Sequence, residues 1–259
     1  MIDSKITQTV WENIGVWWDD KVGDGDAFHR TFIFPIIKRL IEIEKGQKIL
    51  DLGCGNGSLI RELYSENVDF LGIDFSSSLL DKAKERTPHV QFELGDLTDD
   101  NLYQNLKNRG PWDSILCSMV LHDCPDLKPL SENISRLLRI DGEFIFSIPH
   151  PCFNMPLYMS LVHKDGKLIA DGGTITLTGY SQSQHFVGKG KPNQPIEHHN
   201  FHRPIGTLLK TFFDQGLVLT AYEEPVLRDL EHNYLTPENL WSKLSEFPPA
   251  LICKFKRIK

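Results

Sequence analysis

The densest concentration of potential chemistry in the chain is Asp51-x-Gly53-x-Gly55-x-Gly57, inside the run Ile49–Gly57 (ILDLGCGNG). Glycines at alternate positions let the backbone turn sharply and let its amides approach a ligand with no side chain in the way. The run follows a short apolar strand pattern and precedes a helical one, so it reads as a nucleotide-like site at a strand end. An adenine-dinucleotide fingerprint needs its third glycine one position later, where this chain has Ser58. A pyrophosphate requires the helix N-terminus to itself. A moiety carrying an ammonium group is better served by an acid such as Asp51. Asp74 ends the next apolar run, Val68–Asp74, with Phe75 after it, and is placed to accept hydrogen bonds from two ribose hydroxyls. Asp96, in Gly95-Asp96-Leu97, can meet an adenine amino group with Leu97 beside the ring.

These residues resemble the class I S-adenosylmethionine-dependent methyltransferases, and in particular their small-molecule branch. The resemblance covers motif I (Asp51–Gly57), Asp74, Asp96, the strand-four segment Leu116–Asp123 with Ser118, and the strand that follows. The tail from His202-Arg203-Pro204 to Pro225 is also similar to that branch. It implies a Rossmann-like, doubly wound α/β fold: a seven-stranded sheet of order 3-2-1-4-5-7-6 with strand 7 antiparallel. It implies S-adenosyl-L-methionine lying across the carboxyl ends of strands 1, 2 and 4, with S-adenosyl-L-homocysteine as product. An N-terminal helix with aromatic residues over the site is also implied.

Methyl transfer is an in-line displacement at a carbon already activated by sulfonium, so positioning supplies much of the catalysis. A base is needed only when the acceptor must lose a proton. His122, in Leu121-His122-Asp123 after the fourth strand, is the first candidate, since an imidazole accepts a proton near neutral pH. It can equally cap the next helix together with Asp123. His150 follows strand five between two prolines, where a substrate contact is expected. His202 and Arg203 would bind an acidic or hydroxyl-bearing acceptor, with capping and surface roles as the alternative. Trp17-Trp18 either packs on the core or covers the cofactor, with Trp18 giving the sulfonium a cation–π contact, and Arg30 would then meet the methionine carboxylate. His198 and His202 have the i, i+4 spacing of a helical metal pair, but Pro195 and Pro204 bracket them and no glutamate lies between, so no metal is expected.

The elements that must carry these residues alternate. Strands are expected at Lys48–Asp51, Val68–Asp74, Val90–Leu94, Ser114–Val120 and Glu143–Ile148. Helices are expected at Ser58–Glu66, Ser76–Arg86, Asp99–Asn108 and Leu127–Leu138, the last closed by a turn at Ile140-Asp141-Gly142. From Pro149 to about Arg203 the rhythm breaks into Gly, Pro, His, Gln and Thr, with six of the ten histidines there or at its edges. This segment holds one alternating run, Thr174–Thr178, and reads as an inserted substrate cap with its own hairpin and a short helix, since a structureless loop of that length is unusual. A helix at Pro204–Gln215, stopped by Gly216, and strands at Leu217–Tyr222 and Ala250–Phe255 complete the pattern. The expected organisation is an N-terminal helical lid (1–45) and a methyltransferase domain (46–259) with the cap at 150–202.

Hydrophobic residues make up 40% of the 259 positions and charged ones 24%, enough to fill a sizeable core. The net charge of −7 argues against duplex nucleic acid or an anionic membrane as partner, for which a basic stripe is usual. With no apolar run of membrane-spanning length, no signal-peptide pattern at Met1–Trp11 and five scattered cysteines, a cytoplasmic protein with reduced thiols is expected. The expected partner is a small-molecule methyl acceptor, O or N, while the oligomeric state is open. Three alternatives stay open: a nucleic-acid or protein methyltransferase, a nicotinamide oxidoreductase, and a non-catalytic cofactor-binding protein.

Overall fold

Apolar runs too short for helices and apolar on both faces belong in the middle of a covered sheet, and the chain uses them so. The computed structural model describes residues 4–153, 160–161, 163–164, 167–168, 175–176, 179–236 and 239–259. Five strands run parallel: β1 (Lys48–Leu52), β2 (Asp69–Asp74), β3 (Gln91–Leu94), β4 (Trp112–Ser118) and β5 (Leu138–Pro149). Beyond an antiparallel hairpin, β6 (Gln184–Gly188) with β7 (His198–His202), come β8 (Leu217–Glu223) and β9 (Ala250–Arg257). The sheet order is β8-β9-β5-β4-β1-β2-β3, with β9 antiparallel to both neighbours. This is the expected 3-2-1-4-5-7-6 arrangement.

The helices are α1 (Ser4–Val22), α2 (Phe34–Leu40), α3 (Ser58–Leu63), α4 (Ser77–Arg86), α5 (Asp100–Arg109), α6 (Lys128–Leu137), α7 (Ile205–Phe213) and α8 (Leu240–Lys243). A five-residue π-helix, His29–Ile33, leads into α2. One apolar layer joins Leu50, Leu71, Ile115 and Phe144 to α5, α6 and α7. The other joins Ile49, Phe70, Leu116 and Ile145 to α2, α3 and α4. Adjacent residues of one strand thus enter opposite layers, as the pleat requires.

Several boundaries differ from the sequence expectation. The turn at Ile140-Asp141-Gly142 does not precede the fifth strand but lies inside β5, as a bulge. Trp112 pairs with Leu138 and Ser114 with Glu143, and Asp141 has φ 62°. The hairpin expected in the insertion is found at 184–188 and 198–202, a place the sequence did not mark because His-His-Asn-Phe-His lacks the β-branched residues typical of strands. Part of the alternating run Thr174–Thr178 lies outside the described residues. His198 and His202 lie on a strand, not a helix, so their Cα atoms are about 13 Å apart and cannot form the i, i+4 metal pair. No helix among the described residues is long and apolar enough to cross a membrane.

Candidate active site

The glycine turn follows β1. Gly53 has φ +76°, and a Cβ on it would stand 2.3 Å from the Val120 side chain, so any larger residue would be both strained and blocked. The amides of this turn are used within the protein. Gly53 and Cys54 donate to the Ile73 carbonyl at 2.7 and 2.9 Å, Gly55 to Asp74 Oδ2 at 2.8 Å, and Gly57 to the Cys54 carbonyl at 2.9 Å. Sequence reasoning expected these amides to face a ligand; instead they lock the turn to β2, and the turn offers a bare, close-fitting backbone surface.

That surface is the floor of a cleft of about 1010 Å³. Gly53, Gly55, Asp74, Phe75, Asp96, Leu97, Ser118 and Trp18 all line it. Asp74 is buried. Its Oδ1 accepts from the Ser76 amide at 2.9 Å and its Oδ2 from Gly55, and the Phe75 amide also donates to the carboxyl. Asp96 Oδ1 accepts from the Thr98 amide and hydroxyl, and its Oδ2 from Ser4 Oγ at 3.2 Å. Ser118 Oγ meets Ser147 Oγ at 2.8 Å, which fixes the end of β4.

Asp51, at the end of β1, is 1% exposed, and neither carboxyl oxygen has a hydrogen-bond partner among the described residues. Burial, and then the neighbouring Asp74, raises its pKa to about 7. Burial likewise raises Asp74 to about 6, against the lowering effect of its amide donors. A buried carboxyl without donors is costly. Asp51 is not among the residues that line the cleft, but beside Asp74, which is, it adds to a negative site that favours a cationic, hydroxyl-bearing ligand. S-adenosylmethionine, with its ammonium, its sulfonium and a ribose diol, fits these groups.

The roof is α1. Ser4, Thr7, Trp11, Trp18 and Val22 line the cleft at steps of three, four, seven and four, so they form one helical face. Sequence reasoning singles out Trp11, Trp17 and Trp18 as aromatic residues of this segment; Trp11 and Trp18 line the cleft, whereas Trp17 does not and lies under Lys21. Gly15 lets α1 lie against α4, where a Cβ would come within 2.3 Å of Ser78 Oγ. Asp19, buried on α1, accepts from both arms of Arg86 at 2.5 and 2.8 Å and from Asn56 Nδ2 of the glycine turn at 2.7 Å. The hairpin leans on the same helix: the His198 ring centroid is 5.5 Å from that of Trp11 and 6.4 Å from that of Trp18. The Lys191 ammonium lies 5.4 Å from the Trp18 ring centroid and pairs with Asp26. Asp26 also accepts from His29 Nδ1 at 2.7 Å, and His29 lines the cleft.

Other expected site residues lie elsewhere. Arg30 is exposed, donates to the Gly25 carbonyl at 2.7 Å and stacks over Tyr234, because the π-helical turn points its neighbour His29 inward instead. His150 is 1% exposed. Its Nδ1 accepts from the Cys152 amide at 3.1 Å and its Nε2 donates to Glu224 at 2.7 Å, so both ring nitrogens are engaged in structure. His122 lines a second, smaller cavity with His202 and Arg203, and burial lowers its pKa to about 3. His202 Nε2 bonds the Tyr180 carbonyl at 2.9 Å. Arg203 donates to the carbonyls of Leu121, Phe201, Cys124 and Pro125, clamping the loop after β4. Asp123, unlike its neighbour His122, reaches the main cleft. No cluster of three or more His, Cys, Asp or Glu arranged for a metal occurs among the described residues.

Comparison with known proteins follows the geometry. A family model described as a methyltransferase domain matches residues 43–195. Over 237 residues the chain is 26% identical to a Haemophilus influenzae protein described as uncharacterized, covering 87% of each. It is 30% identical over 145 residues to a ubiquinone biosynthesis O-methyltransferase of Coxiella burnetii, a match covering 55% of this chain and 60% of that one. Among solved structures, an S-adenosylmethionine-dependent methyltransferase from Mesorhizobium loti superposes with TM-score 0.67 at 23% identity, over 90% of this chain and 99% of that one. With more than half of its length inside the family model, the chain belongs to the methyltransferase-domain family, and its strand order and superposition are those of the class I methyltransferase fold.

Proposed function

We propose that the chain transfers a methyl group from S-adenosyl-L-methionine to the oxygen or nitrogen of a small molecule, in the cytoplasm. The observation that carries this reading is the set Asp51, Asp74 and Asp96 at three successive strand ends around one glycine turn, with both Asp51 oxygens awaiting a donor. Asp51 would answer the cofactor's positive end, Asp74 its ribose and Asp96 with Leu97 its adenine. Gly53, Gly55 and Gly57 keep the floor free of side chains, and Phe75, Ser118 and Trp18 enclose the rest. When bound, the cofactor supplies a methyl carbon activated by sulfonium. The protein's part is to orient that carbon, exclude water under α1 and remove the acceptor's proton.

The acidic net charge supports a small acceptor over nucleic acid. In this reading residues 1–45 act as lid and 150–202 as substrate cap, with His202 and Arg203 shaping its inner edge. The partly matching O-methyltransferase relative supports oxygen as the accepting atom. The five cysteines, all free, suit a reducing compartment. Calorimetry of the purified chain with S-adenosylhomocysteine, followed by a screen of cell extract with methyl-labelled cofactor, tests the proposal. Binding and one labelled small product are expected; NADH binding in place of S-adenosylhomocysteine would overturn it.

A further inference from the structure

One carboxyl on the cleft wall has no task so far. Asp123, in the loop between β4 and α6, is 7% exposed and lines the cleft. The Trp11 side chain donates to it from α1, but its Oδ1 has no hydrogen-bond partner among the described residues. Buried acceptors are nearly always satisfied, so an unsatisfied one facing a cleft points to a partner that arrives with the ligand. His122 Nε2 lies 3.6 Å from that same oxygen, and His122 Nδ1 is likewise without a partner among the described residues. His122 faces away, into a cavity of about 290 Å³ that it shares with Leu121, Ile148, Pro149 and Leu208. A carboxyl and an imidazole adjacent in the chain therefore join two cavities through the loop.

The groups around this pair set its resting state. Asp74 at the end of β2 and Cys124 in the same loop face Asp123, while His198 of β7 and Arg203 face His122. Burial first, then Asp74, pushes the Asp123 carboxyl well above its ordinary range. Burial, then His198 and Arg203, pushes His122 down to about 3. Burial thus favours the protonated carboxyl and the neutral imidazole. A positive charge in the cleft favours the carboxylate, and a neutral thioether in its place does not.

Resting on the methyltransfer reading above, we propose that Asp123 is the general base and that the acceptor is accordingly a protic O–H or N–H compound. In the step, a lone pair on the acceptor heteroatom forms the new bond to the methyl carbon, and the C–S bonding pair stays on sulfur. The heteroatom keeps the electrons of its bond to hydrogen, and the proton goes to Asp123. Loss of the sulfonium charge in the same step leaves the carboxyl in the environment that retains a proton, so transfer is drawn forward. Asp123 is the catalytic residue of this proposal.

Calorimetric titrations of the whole chain at pH 7, in two buffers of different ionisation enthalpy, count the protons released on binding. S-adenosylmethionine is expected to release more protons than S-adenosylhomocysteine. Asp51 and Asp74 are assigned to the ammonium and ribose that both ligands carry, so their proton release cancels in the comparison. Asp123→Asn should abolish that difference. Equal release by the two ligands in the wild type, or a difference that survives in Asp123→Asn, would overturn the proposal. Failure of either ligand to bind the wild type would instead sink the methyltransfer reading. Should Asp123→Asn not fold, infrared difference spectra of the wild type decide: a protonated-carboxyl band present with S-adenosylhomocysteine must weaken with S-adenosylmethionine.

Discussion

Asp51 and Asp74 carry the electrostatics of the cleft, and both titrate near neutrality, at about 7 and about 6. A cationic ligand binds best to their ionised forms, so at low pH binding must first displace protons. Affinity for S-adenosylmethionine should therefore rise as pH climbs through about 6 and 7 and level off above; an affinity that is flat over that window in calorimetry would contradict the assigned role. Asp74→Ala removes the ribose acceptor and releases the Gly55 amide, and should weaken S-adenosylhomocysteine binding severalfold or more, through bonds worth about 0.5–3 kcal/mol. Asp74 and Asp96 were legible because each ends an apolar strand, and strand ends on one edge of a parallel sheet converge. Arg30 was misjudged by one position, since nothing in Phe28-His29-Arg30 signals a π-helical turn. His122 and Asp123 were separable only in three dimensions, because a loop has no periodicity to say which side chain meets which cavity.

The sheet itself was readable because the central parallel strands carry apolar runs such as Phe70–Ile73, Ile115–Cys117 and Phe144–Phe146, and each crossover helix keeps its own period. Less readable was the β6–β7 hairpin, whose strands alternate burial with polar residues: Phe186, His198, Phe201 and His202 turn inward. Helix α1 lies between these cases. Its face was implied by spacing, but its attachment depends on Asp19, which has no distinguishing neighbour in the sequence. Removing that anchor by Asp19→Ala strands both Arg86 and Asn56, so stability should fall by about 1–3 kcal/mol. Limited proteolysis should then cut within α1 before the sheet. If thermal melting and the cleavage pattern match the wild type, the contact is dispensable.

Across the whole molecule, the cleft is built from parts far apart in sequence: the turn after β1, the ends of β2, β3 and β4, and α1. The hairpin touches this assembly through His198 on Trp11 and Trp18 and through the Lys191–Asp26 pair. Ligand binding should therefore slow hydrogen exchange in α1 and in β6–β7 together. In Trp11→Ala the hairpin should lose that response while the glycine turn keeps it; mass-spectrometric exchange with and without S-adenosylhomocysteine reads both. Independent responses in the wild type would mean that the hairpin is not coupled to the cleft.

The bond from Asn56 to Asp19 has a kinetic meaning. Asn56 belongs to the floor and Asp19 to the roof, and the same aspartate is gripped by Arg86. With α1 as the proposed lid, a molecule lying between them would leave when α1 peels away, and peeling breaks three bonds to one carboxylate at once. On that proposal the residence time of the spent cofactor, and through it the pace of successive turnovers, would be set by a single side chain outside the reacting groups.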